Sequence, residues 1–275
     1  MLEQIPLLPR LSDWLGVWAM ELSHAQTLLA AIGDIDWPAH LRAFDESKQA
    51  REPVAASEFE TVTTKGKNLA VVSITGTMLK SRASMGGGTS TVAVRRQVRA
   101  AARDEDVSGI LLRIDSPGGT VAGTDLLARE VSEARKSKPV LAQIEDVGAS
   151  AAYWVASQAG RVYASTQTAL VGSIGTLLTV DKRADGLAVF RSGPHKGAGL
   201  DGEITDQQAA HLQALVDGLQ AQFSEAVARG RRLTSEQVAE VATGATWLAG
   251  QAMALRLIDG VQSVEQTLDL LASMR

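Results

Sequence analysis

Apolar residues recur every three or four positions near the start of the chain. The residues with this spacing are Leu15, Trp18, Leu22, Ala25, Leu29 and Ile32. Ser12 precedes them and is of a type that caps helices, so the pattern predicts an amphipathic helix from Ser12 to Ile32. The polar stretch that follows predicts a linker with one short helix near residues 41–49. We therefore expect a helical arm and linker over residues 1–67.

Apolar runs and amphipathic stretches alternate in the next part of the chain. Leu69–Ile74, Gly109–Ile114 and Val140–Ile144 are short apolar runs typical of buried strands. Helical spacing separates them at Thr89–Arg103 and Ala122–Lys136. This order predicts βαβ crossovers and a parallel sheet in one main domain over residues 68–275.

The remaining chain continues this alternation. Thr205 with Gln208, and Thr234 with Gln237, have the spacing of capping boxes that begin helices. The other predicted elements are a helix from Tyr153 to about Ala159, strands at 161–164 and 188–190, and helices at 247–257 and 264–274.

Composition excludes several classes of function. The chain has 275 residues, a net charge of −4 and no cysteine, so thiolate chemistry is excluded and nucleic-acid binding is not favoured. Its four histidines are scattered, and we expect neither a metal nor a cofactor. The acidic start lacks a secretion signal, and Glu21 and His24 interrupt the most apolar early segment. We expect a cytoplasmic protein that does not enter a membrane.

Two of the predicted strands end in runs of small residues. Ser116-Pro117-Gly118-Gly119 follows the second strand, and Gly148-Ala149-Ser150-Ala151 follows the third. Ligands of open α/β sheets bind at the carboxyl ends of strands, and glycine lets a backbone N–H approach a substrate. Ordinary strand-to-helix turns, with Ser150 as a packing residue, account for the same residues, so both interpretations stay open at this point.

Two further pieces extend this pattern in chain order. They are Val171-Gly172-Ser173-Ile174-Gly175 and Ser192-Gly193-Pro194-His195-Lys196. With the two strand ends, the four pieces resemble the signal peptide peptidase A family of serine-lysine proteases. Within that family the chain is most similar to the lambda-type phage head-maturation (capsid assembly) proteases. The resemblance covers about residues 69–263 and implies a ClpP/crotonase-like α/β fold.

The resemblance also implies a role for each matching residue. Ser150 would be the nucleophile, Lys196 the general base, and Ser173 a hydrogen-bond partner of the lysine amine. The N–H of Ala151 and that of Gly118 or Gly119 would form the oxyanion hole. In several relatives the serine and lysine come from neighbouring subunits of a ring, so we expect a homo-oligomer.

The choice of base sets a physical condition. A lysine pKa must fall by about three units from its usual value of about 10.4, which costs roughly 4 kcal/mol, before the amine can act as a base at neutral pH. His195 is the rival base because a neutral imidazole needs no such change. Proteases of the ClpP type place their histidine soon after the serine helix, where this chain has none. We therefore prefer Lys196.

The residues after Ser150 differ from the pattern of signal peptide peptidases. Those enzymes usually carry two glycines there, and this chain has Ala151-Ala152. Alanine retains the oxyanion N–H, but its methyl group narrows the adjacent pocket. Tyr153 and Trp154 could line a substrate groove, although aromatic residues on an early helical turn more often belong to the core.

Four functions fit these observations. The first is a phage or prophage endopeptidase that cleaves capsid, portal or scaffold proteins in the host cytoplasm or the procapsid, and its own chain as a further substrate. The second is a soluble signal-peptide-peptidase-like enzyme that degrades peptides. An inactive scaffold subunit is the third. A crotonase-type acyl-CoA enzyme is the fourth, and the ordered serine and lysine argue against it.

Overall fold

The computed structural model describes residues 59–81, 88–180, 191–192, 194–195, 198 and 202–274, together with the backbone of residues 17–20. Some predictions fall outside these residues. They are the general base Lys196, the strand at 188–190, the helix at 41–49, and the arm helix apart from residues 17–20.

Strands and helices alternate through most of the described chain. The strands are β1 (Val17–Met20), β2 (Glu60–Thr64), β3 (Lys67–Thr75), β4 (Met78–Leu79), β5 (Thr89–Ser90), β6 (Val107–Ser116), β7 (Gly118–Thr120), β8 (Val140–Ala149), β9 (Arg161–Ala164), β10 (Leu170–Gly172), β11 (Leu177–Leu178), β12 (Thr246–Leu248) and β13 (Gly260–Val261). The helices are α1 (Thr91–Arg103), α2 (Thr124–Ala134), α3 (Ala151–Ala156), α4 (Asp206–Arg231), α5 (Ser235–Val241), α6 (Ala249–Ala254) and α7 (Val264–Ser273).

The central sheet has the strand order β12-β10-β8-β6-β3-β2. Its four inner strands are parallel, whereas β2 and β12 run antiparallel to their neighbours at the two edges. β9 pairs in parallel with the first half of β8, and β13 pairs with β9. Helix α1 lies between β3 and β6 in the chain, and α2 lies between β6 and β8. The predicted α/β fold with a parallel sheet and βαβ crossovers is confirmed.

The inner strands are covered on both faces. Ile110 and Leu112 of β6 pack in the larger hydrophobic cluster, and Leu111 between them packs in a second cluster with Leu271 of α7. Successive side chains of a strand point to opposite faces, so a strand covered on both sides needs consecutive apolar residues. This explains why apolar runs marked these strands.

Hydrogen bonds at the helix starts confirm the predicted capping boxes. The Thr205 hydroxyl accepts from the N–H of Gln208, and the Gln208 side chain accepts from the N–H of Thr205. The same exchange joins Thr234 and Gln237 at the start of α5. These bonds satisfy N–H groups that have no acceptor inside the helix.

The strand β1 corrects one prediction. The helix expected from Ser12 to Ile32 is wrong at residues 17–20, which form an extended strand in a smaller sheet of order β11-β1-β7-β4-β5. Valine and tryptophan at positions 17 and 18 favour strands, and β7 and β11 pair with this segment on both sides. Long-range pairing therefore outweighs the helical spacing.

Two boundaries also differ from the predictions. Residues 246–248 form β12 against β10, so the helix expected at 247–257 begins at Ala249 instead. The sheet begins at Glu60, because β2 and β3 form a hairpin through Lys65 and Gly66, both of which have positive φ. Residues 60–64 thus belong to the same sheet as the domain predicted to start at residue 68. Within the described chain, no helix is both long and apolar enough to span a membrane.

Candidate active site

The site lies at the carboxyl ends of β6 and β8. Ser116 at the end of β6 is aligned with Gly148 near the end of β8, and Ser150 follows directly. On the other side of β8, Gly172 is aligned with Ala149. The topology therefore brings three of the four small-residue pieces together around Ser150.

Ser150 has a backbone conformation that is rare for a residue with a side chain. Its φ is 55° and its ψ is −122°, close to the values of the first central residue of a type II′ turn. Such a conformation costs about 1–3 kcal/mol and persists only where surrounding bonds hold it. The Ser150 N–H donates to the Gly172 carbonyl at 2.7 Å, and the Ser150 carbonyl accepts from the Trp154 N–H at 2.8 Å. The sharp turn thus connects β8 to α3.

The Ser150 hydroxyl is buried and lacks a hydrogen-bond partner among the described residues. A buried hydroxyl without a partner costs about 1–3 kcal/mol. Packing alone gives no reason for a serine here, because alanine would fill most of the same space without that cost. The observation favours a chemical role for the Oγ atom over the packing role.

Ser173 lies one residue beyond the carbonyl that holds Ser150. It is buried, has a φ of 49°, and its N–H donates to the Ala245 carbonyl at 2.7 Å. The preceding Gly172 has a φ of 108°, and a Cβ there would lie 2.9 Å from Trp247 Cδ1. A side chain at residue 172 would therefore be strained and would collide with Trp247. Glycine allows the backbone here to approach the Ser150 N–H closely enough for the hydrogen bond.

The glycine turn after β6 is required by both conformation and space. Gly118 has a φ of 103°, and a Cβ on Gly119 would lie 1.8 Å from the Met78 carbonyl oxygen. The Gly118 N–H donates to Ser116 Oγ at 3.2 Å, and the Ser116 hydroxyl donates to the Gly76 carbonyl at 2.6 Å. Gly118 therefore already has an acceptor. Gly119 lies within β7, aligned with Ala19 of β1 on one side and Met78 of β4 on the other, so the geometry does not choose between the two glycines as the second oxyanion donor.

Ala151 is the first residue of α3. The N–H groups of a first helical turn have no acceptor inside the helix, so the Ala151 N–H is available for an oxyanion next to Ser150. Ala151 and Ala152 are fully buried. Their methyl groups therefore pack in the core.

Tyr153 and Trp154 are core residues. Both side chains are at most 1% exposed. The Tyr153 hydroxyl donates to the Leu257 carbonyl at 2.7 Å, and burial raises the Tyr153 pKa above its usual value. The Trp154 ring stacks on Phe223 with centroids 4.6 Å apart. This burial argues against the predicted groove contact, because neither ring presents a surface to a substrate.

His195 is exposed and lies against another histidine. Its ring centroid is 4.6 Å from that of His211, on α4. The neighbouring Pro194 carbonyl accepts from the Gln208 side chain at 2.6 Å, which attaches this segment to the start of α4. His195 does not hydrogen-bond to the Ser150 hydroxyl. The geometry thus gives no support to the rival base, while Lys196 lies outside the described residues.

Two groups support the site without having been assigned a role from the sequence. The Ser116 hydroxyl connects the Gly76 carbonyl to the glycine turn, and the Asp115 carboxylate accepts from the Val147 N–H at 3.2 Å. The small size of Ser116 within the glycine-rich piece was the available signal. Asp115 carried none, since its partner is a backbone group distant in the chain. No group of three or more potential metal ligands occurs in the part of the chain that the structure describes.

Comparison with known proteins gives one family. The model of "Peptidase family S49" matches residues 132–275. Protease 4 of Salmonella typhi is 29% identical over 205 residues, which are 71% of this chain and 33% of that protein. Capsid assembly protease C of Escherichia phage lambda is 28% identical over 255 residues, 88% of this chain and 52% of the relative.

Head-tail preconnector protein GP5 of Enterobacteria phage P21 is 30% identical over 243 residues, 80% of this chain and 48% of the relative. The chain thus spans a third to about half of these curated relatives. Among solved structures, an enoyl-CoA hydratase/isomerase family protein from Silicibacter pomeroyi aligns over 78% of this chain and 81% of its own, with 17% identity and a TM-score of 0.44.

Proposed function

Because the chain belongs to peptidase family S49, we propose that it is a serine endopeptidase that uses Ser150 and Lys196 to process capsid, portal or scaffold proteins during phage head assembly. The observation that carries the catalytic part is the Ser150 hydroxyl, which is buried without a partner among the described residues at the carboxyl end of β8. The similarity to the phage lambda protease over 88% of this chain supports the biological part.

Each residue has a specific task in the proposed reaction. The neutral Lys196 amine accepts the Ser150 hydroxyl proton while Oγ attacks the carbonyl carbon of the peptide bond. The N–H of Ala151 and that of Gly118 or Gly119 stabilise the oxyanion. Collapse breaks the C–N bond, and the lysine ammonium returns the proton to the leaving amine. Water then hydrolyses the acyl-enzyme by the same proton transfers.

Ser173 is the proposed positioning partner of the lysine. The Gly172 carbonyl, bonded to the Ser150 N–H, directly precedes it. A hydroxyl next to the amine can accept one of its hydrogens and aim its lone pair at Ser150. We expect the reaction to take place in a homo-oligomeric ring, in the host cytoplasm or the procapsid.

A second candidate is a peptide-degrading enzyme like the signal peptide peptidases. It is favoured by the similarity to Protease 4 over 71% of this chain. The two candidates share the dyad and differ in substrate. The neighbouring genes distinguish the two candidates. A gene that lies beside portal and major capsid genes would support the phage role, whereas a gene without such neighbours would support the degradative role.

Activity-based labelling tests the dyad. We expect a fluorophosphonate probe to label the wild type, and casein to be cleaved, with both lost in Ser150→Ala and Lys196→Ala. His195→Ala is expected to keep at least half of the activity. Lys136→Ala and His211→Ala are the matched controls, since Lys136 is an exposed lysine paired with Glu133. Labelling that persists in Ser150→Ala contradicts the nucleophile, and loss of activity only in His195→Ala contradicts the base. An assembled wild type that is neither labelled nor active favours the scaffold function.

A further inference from the structure

Strand β1 lies between two other strands of the small sheet. Trp18, Ala19 and Met20 are aligned antiparallel with Thr120, Gly119 and Gly118 of β7. On its other side, Val17 and Trp18 are aligned antiparallel with Leu178 and Leu177 of β11. In the strand order of this sheet, β1 is what connects β11 to β7.

Both neighbours of β1 are connected through the chain to the candidate active site. β7 contains Gly118 and Gly119 and begins two residues after Ser116, which is aligned with Gly148. β11 begins four residues after Ser173. The two segments that surround Ser150 therefore continue directly into the two strands that hold β1.

The spacing of β7 and β11 fits one extended chain. Neighbouring strands lie about 4.8 Å apart, so two strands with a third between them are separated by about 9.6 Å. Without β1, both would present unpaired N–H and C=O groups towards this gap, and such edges bind extended peptides by adding a strand. The gap thus has the width and the hydrogen-bonding groups for one polypeptide strand.

We infer that the gap between β7 and β11 is the substrate groove, and that residues 17–20 occupy it as a competing strand supplied by the chain itself. This rests on the proposed function. A substrate must displace β1 to pair its backbone with β7 and reach Ser150. Recognition then depends mainly on the substrate backbone, so the ligand is an unfolded or extended polypeptide segment without proline at the paired positions.

A reversible crosslink tests this inference. The chain has no cysteine, so a disulfide in Trp18→Cys/Leu177→Cys is the sole one, and it holds β1 against β11. Residues directly opposite in antiparallel strands have Cβ atoms about 4.5–5.5 Å apart, close to disulfide range. Val17→Cys/Leu178→Cys is the second variant. Thr63→Cys/Asn68→Cys is the control, because it crosslinks the aligned β2 and β3 hairpin away from the site.

We expect oxidation of either β1 variant to lower cleavage of an extended peptide at least tenfold, and reductant to restore it. The control crosslink is expected to change cleavage by less than twofold. Equal cleavage by the oxidised and reduced forms, with the crosslink complete by mass spectrometry, overturns the inference. Failure of the wild type to cleave the peptide or to be labelled instead contradicts the proposed function.

Hydrogen exchange gives a second readout that needs no engineered cysteine. We expect a saturating uncleaved peptide, added to the Ser150→Ala protein, to accelerate amide exchange at residues 17–20 at least tenfold while it protects β7 and β11. Protection of β7 and β11 by the peptide with no change at residues 17–20 contradicts the inference.

Discussion

Ser150 combines a strained backbone with a hydroxyl that makes no hydrogen bond to the described residues. Both features lower stability, and neither is needed to connect β8 to α3, since glycine would adopt the turn without strain. Ser157, seven residues later, shows the contrast. It is equally buried, but its hydroxyl donates to the Trp154 carbonyl at 2.8 Å. Residues that store strain in this way are typical of reacting groups.

Replacing these two serines is expected to have opposite effects on stability. Ser150→Ala removes an unpartnered buried hydroxyl, so the free energy of unfolding rises by about 1 kcal/mol while activity is lost. Ser157→Ala removes a hydrogen bond, so the free energy of unfolding falls by about 1 kcal/mol. Urea denaturation of the three proteins measures the difference. A Ser150→Ala protein less stable than the wild type would show that the hydroxyl has a structural partner.

Gly119 is expected to tolerate no side chain. In Gly119→Ala the new methyl group would lie 1.8 Å from the Met78 carbonyl oxygen, and backbone must move. We expect the free energy of unfolding to fall by about 2–3 kcal/mol, as in overpacked cores, and activity to be lost. Gly218→Ala is the control. A Cβ there meets nothing within 4 Å, and alanine in a helix interior adds about 1 kcal/mol of stability. If Gly119→Ala proved more stable than Gly218→Ala in urea unfolding, the close contact between Gly119 and the Met78 carbonyl would be contradicted.

At the scale of elements, α3 depends on its neighbours for its position. It has six residues, all buried, and is too short to be stable alone. The Tyr153 hydroxyl bonds to Leu257 beyond α6, and Trp154 stacks on Phe223 of α4. These contacts hold the helix whose first N–H faces the proposed oxyanion. They explain why buried aromatic residues follow Ser150 in the chain.

Alkaline pH is expected to weaken this attachment. Burial raises the Tyr153 pKa from its usual 10.0, so the unfolded chain releases the phenol proton first as pH rises. The contribution of Tyr153 to stability is therefore intact below about pH 10 and declines above it. Urea unfolding between pH 9 and 11 is expected to show a steeper decline for the wild type than for Tyr153→Phe. Equal slopes would mean that other groups cause the decline.

At the scale of the whole molecule, Arg231 joins parts that are distant in the chain. Its buried guanidinium donates to the Asp259 carboxylate at 2.8 Å and to the Arg256 carbonyl at 3.1 Å. Asp259 also accepts from the Val162 N–H at 2.7 Å. One ion pair therefore joins three segments: the end of α4, the segment that follows α6, and the amino-terminal end of β9.

Arg231→Ala is expected to lower the free energy of unfolding by about 2–3 kcal/mol. The change leaves the Arg256 carbonyl and part of the Asp259 carboxylate without their donor, and Asp259 keeps some access to water. Arg229→Ala is the matched control, because its exposed pair with Glu225 contributes less than about 0.5 kcal/mol. Thermal or urea unfolding measures both. Equal effects of the two changes would show that burial of Arg231 adds nothing.

The sequence alone determined the local elements of this protein. Apolar runs identified β3, β6 and β8 because strands covered on both faces bury consecutive side chains, most of which are apolar. Capping-box residues spaced three positions apart identified the starts of α4 and α5. Both signals act between neighbours in the chain, so they are visible without a structure. The four small-residue pieces, in their order along the chain, further indicated the family and marked Ser150 as the candidate nucleophile.

Only the tertiary structure decided how distant segments meet. It placed Gly172 against the Ser150 N–H, buried Tyr153 and Trp154 in the core, and turned residues 17–20 into a strand between β7 and β11. In each case the contact joins segments far apart in the chain, through backbone pairing or side-chain packing, and such contacts leave no trace in the local spacing of side chains. At residues 17–20 backbone pairing outweighed a helical pattern.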